Sequence, residues 1–541
     1  MSGSQWSRRG FLGASGAAML SGVLPEVAAQ AGQSSTQANE PTYGDRPNII
    51  LFLPDEMRAD SLACYGNPIT KTPNFDHLAS QGARFTNCHV QFPVCGASRC
   101  SLLTGWPTSV RGHRSLYYFL RPEEPNLFRY LKNGGYDVFW FGKNDALAAE
   151  SFCGSVTYWT ERGKGNSQRS GGYRGAGASR SQADDFLSPA AGDRRDENDY
   201  RLVQLAIDIL ERKETDRPFC IFLPLNNPHP PYTAPADFYS MYSPADVPAP
   251  IPAGLPKRPS FHEGMRELYG LKNVSEATFR KIKAVYYGQV SFQDWVLGQL
   301  LEAVDRTNHN KDTAVVCLSD HGDYTGDYGL VEKWPSGLED VLTHIPMIVR
   351  PPGGAKAVES HDMIEAFDVM ATCLDLAGIH ADHTHFSRSL LPQVAGAPGD
   401  PIRAAFCEGG YNVYEPQCYE PLDFGGASIG GIYAPKHVLQ NQRPQTVSRS
   451  AMVRTRDAKL IRRPDGESEL YVYSKDPREE HNLYGEHSVA SLQESLQQRL
   501  LDWYINTSGV APTDKDQRNA PPFASNRHAP QPGWQRALLD K

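Results

Sequence analysis

Residues 46–56 read RPNIILFLPDE. Ile49 to Leu53 is an unbroken apolar run of strand length, and Pro54 ends it. A run without polar alternation suits a strand buried on both faces, as in a parallel sheet covered by helices on either side. Asp55 and Glu56 then fall at the carboxyl end of that strand, where open α/β sheets place their sites.

The same texture recurs along the chain. YDVFWFG (136–142), FCIFLPL (219–225) and AVVCLSD (314–320) read as further buried strands, the last again ending on an acid. Helical patterns lie between them. In TPNFDHLASQG, Thr72 can cap, Pro73 fits the first turn and Gly82 closes the helix. DYRLVQLAIDILERK (199–213) is another helix. Strands alternating with helices predict an α/β sandwich with a large, mostly parallel central sheet flanked by helices. Near residue 445 the texture changes. SAMVRTRDAKLIRR and ESELYVYSKD read as strands of a smaller antiparallel subdomain, and HSVASLQESLQQRLLDWYI (487–505) as a helix after it. Residues 163–198 and 244–260 read as irregular loops.

The chain has 541 residues with 40% hydrophobic content, enough for a large core. A formal net charge of −8 gives no footprint for nucleic acid. An anionic ligand would have to be caught by a local cluster of cations. At the N-terminus, SRRGFLG carries Arg8 and Arg9 before Phe11, Leu12 and a short Ala/Gly-rich stretch, which resembles a twin-arginine export signal. Its apolar part is shorter than the roughly 20 residues that span a bilayer. The expected organisation is a signal peptide over 1–31, a linker over 32–46, a main catalytic domain over 47–444, a C-terminal α+β subdomain over 445–506 and an extended tail over 507–541. Export to the periplasm or beyond follows, by way of the twin-arginine machinery.

Ten cysteines are widely scattered and form no CxxC pair, which argues against a disulfide scaffold or a structural zinc site. Cys220 and Cys317 sit in apolar runs and read as small hydrophobes. Cys407 and Cys418 are close enough in sequence to bridge a loop. Cys95 differs from these: VCGASRCSLLTG (94–105) places it four positions before Arg99, ahead of a short apolar run.

Four separated segments bring polar groups to the ends of strands. They are Asp55-Glu56, Cys95 to Arg99, Asp320-His321 in LSDHGD, and the cations Lys143 (WFGKND), His229 (NNPHPPY) and Lys333 (GLVEKW). Asp, Asp and His suit a divalent metal such as calcium, magnesium or manganese, with His321 shifting the oxygen-rich set slightly toward borderline ions. Each segment alone is ordinary. Asp-Glu after a strand is often a solvated helix start, SDHGD is a favourable turn, and single lysines and histidines mostly face solvent.

Together, PNIILFLPDEMRADSLACYGNP, CGASRCSLLTG, GYDVFWFGK, PHPPY, LSDHGDYTGDYGLVEKW and ELYVYSKDPREEHNLY resemble the sulfatase family of the alkaline-phosphatase superfamily, in order from about Pro47 to Tyr484. CGASRCSLLTG fits the family pattern C-x-(P/A)-S-R-x-x-x-L-T-G. The resemblance implies that a maturation enzyme oxidises Cys95 to formylglycine. The aldehyde's hydrate offers two hydroxyls: one attacks sulfur, and the other later loses its proton, expels sulfate and restores the aldehyde. A serine has no second hydroxyl. The resemblance further implies that Asp55, Asp320, His321 and the modified Cys95 hold the metal, with Glu56 where many relatives carry a second Asp. Arg99 would hold the hydrate. Lys143 and Lys333 would bind sulfate oxygens. His229, with Lys333, would protonate the leaving oxygen. Relatives often show GKxH, whereas this chain has GKND, with Asp145 at the histidine position. Asp145 itself and His113 in VRGHRSL are the candidates for the missing base.

The implied substrate is a sulfate monoester of a carbohydrate or an aryl alcohol. A formylglycine-dependent phosphonate or phosphodiester hydrolase is the enzymatic rival, since such enzymes also use an Asp-His pair. A catalytically silent binding protein on the same scaffold is the other alternative. Cysteine phosphatases are disfavoured: they need five residues between Cys and Arg, and Cys95 and Arg99 have three. Loops 163–198, 244–265 and 407–445 would line the leaving-group pocket, with Tyr411, Tyr414, Tyr419 and Phe424 as stacking candidates.

Overall fold

The computed structural model describes residues 46–161, 186–212, 216–424, 427–428 and 432–511. The expected signal peptide, the linker up to residue 45, residues 163–185 of the first loop and the tail beyond 511 lie outside the described residues.

The apolar runs become the centre of an eight-stranded sheet. Its strands are β1 (Asn48–Asp55), β2 (Ala83–His89), β3 (Asp137–Phe141), β4 (Tyr158–Thr160), β5 (Phe219–Pro228), β6 (Thr313–Leu318), β7 (His344–Arg350) and β8 (Val358–Glu365), in the spatial order β4-β3-β5-β1-β6-β7-β2-β8. Strands β4, β3, β5, β1 and β6 are parallel neighbours; β7 pairs antiparallel with both β6 and β2, and β8 lies parallel to β2. All eight residues of β1 are buried. Its side chains alternate between two cores. Ile50 and Phe52 join one, with Ile221, Leu223, Val315 and Cys317. Ile49, Leu51 and Leu53 join the other, with Cys220, Phe222, Val316 and Leu318. A sheet buried on both faces in this way needs its strands apolar at every position.

The first core includes much of the 31-residue helix Glu276–Arg306, which starts at Ser275, whose side chain accepts from the Thr278 N–H. This helix also supplies a cap in trans. In helix Pro73–Ser80, Thr72 makes no side-chain cap bond; Asp294 Oδ1 accepts from the Asn74 and Phe75 N–H groups at 2.9 Å each. Gly82 does follow that helix, but its reason is close packing: a Cβ there would lie 2.1 Å from the Val349 carbonyl oxygen.

The remaining strands are β9 (Ala405–Gly409), the two-residue pair β10 (Asp423–Phe424) and β11 (Ala427–Ser428), β12 (Ser450–Arg454), β13 (Ala458–Arg462) and β14 (Glu469–Val472). A four-stranded antiparallel sheet runs β14-β13-β12-β9, so it takes in one strand from upstream of residue 445. One face, with Phe406, Val453, Leu460 and Leu470, packs on Leu496, Leu500 and Trp503 of helix Ala490–Thr507. The other face sends Cys407, Met452, Ile461 and Tyr471 into the second core of the large sheet. The ten cysteines are unbridged, Cys407 and Cys418 included. Among the described residues, no helix is long and apolar enough to cross a membrane.

Candidate active site

Four adjacent strands deliver the site from their carboxyl ends. β1 ends in Asp55 and passes to Glu56, β6 runs into Asp320 and His321, β5 leads to His229, and β3 leads to Lys143. Cys95 is the first residue of helix Cys95–Thr104, whose ten residues are all buried. Gly105 ends that helix in the left-handed region, at φ 67°. Starting the helix at residue 95 puts the thiol among the strand ends, and Arg99, one turn later, projects from the same face.

The geometry is tight. Cys95 Sγ lies 3.1 Å from His321 Nε2, 3.5 Å from Asp55 Oδ1 and 3.7 Å from Lys143 Nζ. Lys143 Nζ is 2.6 Å from Asp55 Oδ2 and 2.9 Å from Asp145 Oδ2. Arg99 bridges both carboxylates, with Nε 2.9 Å from Asp320 Oδ2 and Nη2 3.2 Å from Asp55 Oδ2. Asp320 Oδ1 also accepts from the N–H groups of Glu56 (3.1 Å) and His321 (3.0 Å). Glu56 makes the first of these bonds from the left-handed region, at a φ of 66° that is unusual outside glycine. Its carbonyl is held too, accepting from Tyr286 Oη at 2.7 Å.

A second cluster adjoins the first. Glu56 Oε1 meets Lys333 Nζ and lies 3.1 Å from His229 Nε2, while Lys333 Nζ is 3.2 Å from His229 Nε2. His229 Nδ1 faces the Pro230 carbonyl at 2.6 Å, so that nitrogen carries the proton and Nε2 faces the cluster.

Burial works against every charge here, and the partners decide the outcome. It raises Asp55, but Lys143 and Arg99 overcome it and hold that carboxyl well below its usual range. It also raises Glu56; Lys333 opposes this, Asp323 and Glu332 add to it, and the carboxyl stays well above its usual range. It lowers Lys143 and Lys333, yet Asp145 and Asp55 keep the first well above an ordinary lysine, and Cys95, Glu332 and Glu56 the second. His229 is pushed down by burial and Lys333, and His321 by burial against Asp320. Burial and Asp55 push the Cys95 thiol well up.

The donors fit a divalent cation. Ligand atoms of Asp55, Cys95, Asp320 and His321 all lie within 4.8 Å of one another, and so do those of Asp55, Glu56, Cys95 and His229. In the first set, His321 Nδ1 lies 2.9 Å from the Gly322 carbonyl, which turns Nε2 inward as metal-binding histidines require. Two carboxylates, an imidazole and residue 95 suit a hard to borderline ion. Glu56 faces Lys333 and His229 through Oε1, and its carboxyl shares a side-chain hydrogen bond with Asp323.

Of the two candidate bases, Asp145 stands beside Lys143. His113 is engaged elsewhere, with Nδ1 2.8 Å from the Tyr118 carbonyl and Nε2 3.0 Å from Glu124 Oε1. Among the loop aromatics, Tyr411 is buried against Tyr419 and Tyr414 is exposed; the Phe424 side chain lies outside the described set. Sequence reasoning missed Glu332, which lies 2.7 Å from Lys333 Nζ and 3.3 Å from the buried Lys436. It also missed Tyr433, whose ring centre is 6.3 Å from that of His229. Neither Lys436 nor Tyr433 stands in a recognisable motif.

The sulfatase family profile matches residues 47–379. The arylsulfatase of Clostridium perfringens is 27% identical over 368 residues, covering 62% of this chain and 75% of that protein. Iduronate 2-sulfatase of Homo sapiens is 28% identical over 410 residues, covering 70% and 73%. Among solved structures, the phosphonate monoester hydrolase of Agrobacterium radiobacter shares the fold, with a TM-score of 0.67 at 22% identity over 85% of this chain and 96% of that one. With the profile spanning more than half of its length and the motif residues gathered at the strand ends, this chain belongs to the sulfatase family of the alkaline-phosphatase superfamily, a family of sulfuric ester hydrolases.

Proposed function

We propose that the protein hydrolyses a sulfate monoester of a sugar or an aryl alcohol, with a formylglycine hydrate made from Cys95 as nucleophile and one divalent metal as cofactor. The observation that carries this reading is the setting of Cys95 Sγ, 3.1 Å from His321 Nε2, 3.5 Å from Asp55 Oδ1 and 3.7 Å from Lys143 Nζ. A formylglycine hydrate at this position would present oxygens to the same three groups. As a thiol, residue 95 is held protonated by burial and Asp55, which makes it a poor nucleophile. A hydrate needs no thiolate.

Asp55, Asp320, His321 and residue 95 would hold the cation, which supplies Lewis-acid polarisation of the sulfuryl group when bound. Arg99 fixes both carboxylates. Lys143 and Lys333 supply fixed positive charge for the sulfate oxygens, Lys333 from an almost fully buried position and Lys143 from the partly open mouth of the site. His229 presents an unprotonated Nε2 3.2 Å from Lys333 Nζ, so the lysine ammonium would supply the proton that Nε2 passes on to the leaving oxygen. Asp145, 2.9 Å from Lys143 Nζ, takes the place of the GKxH histidine as base for releasing sulfate. The intact set of Cys95, Arg99, Asp55, Asp320, Lys143 and Lys333 argues against a silent binding protein.

The substrate assignment draws on the sugar and aryl sulfatases among the relatives. It is tested by kcat/KM for sulfated uronates and hexosamines, aryl sulfates and phosphonate monoesters, measured with added calcium, manganese or magnesium. A sulfate ester is expected to lead. Preference for the phosphonate would favour the rival reading. Cys95 oxidation by a maturation enzyme would precede twin-arginine export to the periplasm. Processed enzyme in the periplasm after Arg8→Lys and Arg9→Lys together would count against that route.

A further inference from the structure

We infer that Asp199, which touches none of the reacting groups, is the positioning residue that sets His229 over the leaving oxygen; this rests on the reading of His229 as a leaving-group acid.

Asp199 lies in the first turn of helix Asn198–Glu211 and is 1% exposed. Its Oδ1 accepts from the Asn226 N–H at 3.0 Å and from Asn226 Nδ2 at 3.3 Å. Its Oδ2 accepts from the Asn227 N–H at 2.8 Å, Asn227 Nδ2 at 2.9 Å and Gln293 Nε2 at 2.6 Å. Two consecutive backbone N–H groups and both side-chain amides therefore converge on one carboxylate. These are the last residues of β5 before Pro228 and His229.

The turn is gripped from the other side as well. Gln289 Nε2 donates to Asn227 Oδ1 at 3.1 Å and to the His229 carbonyl at 3.4 Å. The His229 N–H closes back on the Asn226 carbonyl at 3.0 Å. The backbone of His229 is thereby fixed relative to helices Asn198–Glu211 and Glu276–Arg306. Its ring is left to meet Lys333 and Glu56.

Only a carboxylate satisfies this arrangement. Five N–H groups need two acceptor oxygens, and an amide at position 199 would turn an NH2 toward donors. Hydrogen bonds to an ionised acceptor are also the stronger ones. Displacing a catalytic group by about 1 Å can cost on the order of 100-fold in rate, so a device that locks this turn has a kinetic consequence apart from stability.

The test compares Asp199→Asn, His229→Ala and the parent enzyme on a series of aryl sulfates of rising leaving-group pKa, with Tm recorded for each. Esters with activated leaving groups depart without a proton; poor leaving groups need one. In Asp199→Asn, kcat is expected to fall about 10- to 100-fold for the poorest leaving groups and to change little for the most activated. His229→Ala should show the same tilt more steeply. A uniform loss across the series, or none, in Asp199→Asn while His229→Ala keeps its tilt overturns the positioning role. A flat series in His229→Ala overturns the acid assignment beneath it. Should Asp199→Asn not fold, Gln293→Leu removes one bond to Oδ2 and is expected to give a weaker tilt; a uniform loss there overturns the proposal equally.

Discussion

Arg99 Nε lies 2.9 Å from Asp320 Oδ2, with both side chains almost fully buried. Removing one member of a buried pair leaves the other charge uncompensated, at about 3–5 kcal/mol. Asp320→Asn is therefore expected to lower stability by about 3 kcal/mol and to abolish the rise in Tm on adding metal ion. Thermal melts with calcium and with a chelator check both. An Asp320→Asn protein that is still stabilised by calcium as much as the parent would remove Asp320 from the metal set.

Cys95→Ser keeps one hydroxyl at the nucleophile position and loses the second. On the proposed mechanism the first half of the reaction should survive and the release of sulfate should not. Incubation with an aryl sulfate is expected to release at most one equivalent of phenol and to leave a sulfated serine, visible in the intact mass. Sustained turnover by Cys95→Ser would mean that release does not pass through a second hydroxyl.

Lys143 and Lys333 approach residue 95 and Glu56 as fixed cations. Loss of one such donor typically lowers kcat by about 100- to 1,000-fold. Lys333→Ala and Lys143→Ala should each fall in that range on sulfate esters. Lys436→Met acts at one remove: Glu332, 3.3 Å from Lys436 and 2.7 Å from Lys333, would lose one of its two cations and compete harder for the other. A rise in KM with a smaller change in kcat is expected, and Lys436→Arg should restore the parent value.

Asp327 predicts part of the acid limb of stability. Burial alone would raise its carboxyl, but Lys283 at 2.9 Å and Arg58 at 2.6 Å bring it down to about 2. A carboxyl lowered in the folded state contributes stability above its unfolded pKa near 4 and loses it as pH falls toward 2. That contribution is about 2 kcal/mol. Urea midpoints from pH 6 to pH 2.5 should fall less steeply in Asp327→Asn, from a lower starting point. An unchanged slope would show that Asp327 does not drive the acid limb.

The sequence revealed those parts of the fold whose signal is local. β1, β5 and β6 are continuous apolar runs because both faces of the sheet are covered, and a run needs no partner to be seen. β2 (ARFTNCH) mixes buried and half-buried positions, and β9 (AFCEG) is five residues with no periodicity; each is a strand because of what it pairs with. The site divides in the same way. Cys95 and Arg99 are one helical turn apart, so their joint meaning is written in five residues. Glu332 and Lys436 are 104 residues apart, and Asp199 and Asn227 are 28. No local pattern announces a contact made only when two elements pack. The Thr72 cap shows the opposite error: a good local signal was displaced by Asp294, a better acceptor brought in from a distant helix.

The central claim is that residue 95 works as formylglycine. It is tested most directly by the mass of the tryptic peptide Phe85–Arg99 from active enzyme made in its native cell. This peptide also holds Cys88, a buried core thiol that serves as internal control. Conversion at position 95 alone lowers the mass by about 18 Da, with fragmentation placing the change at residue 95. Fully active enzyme carrying an unmodified Cys95 would contradict the account.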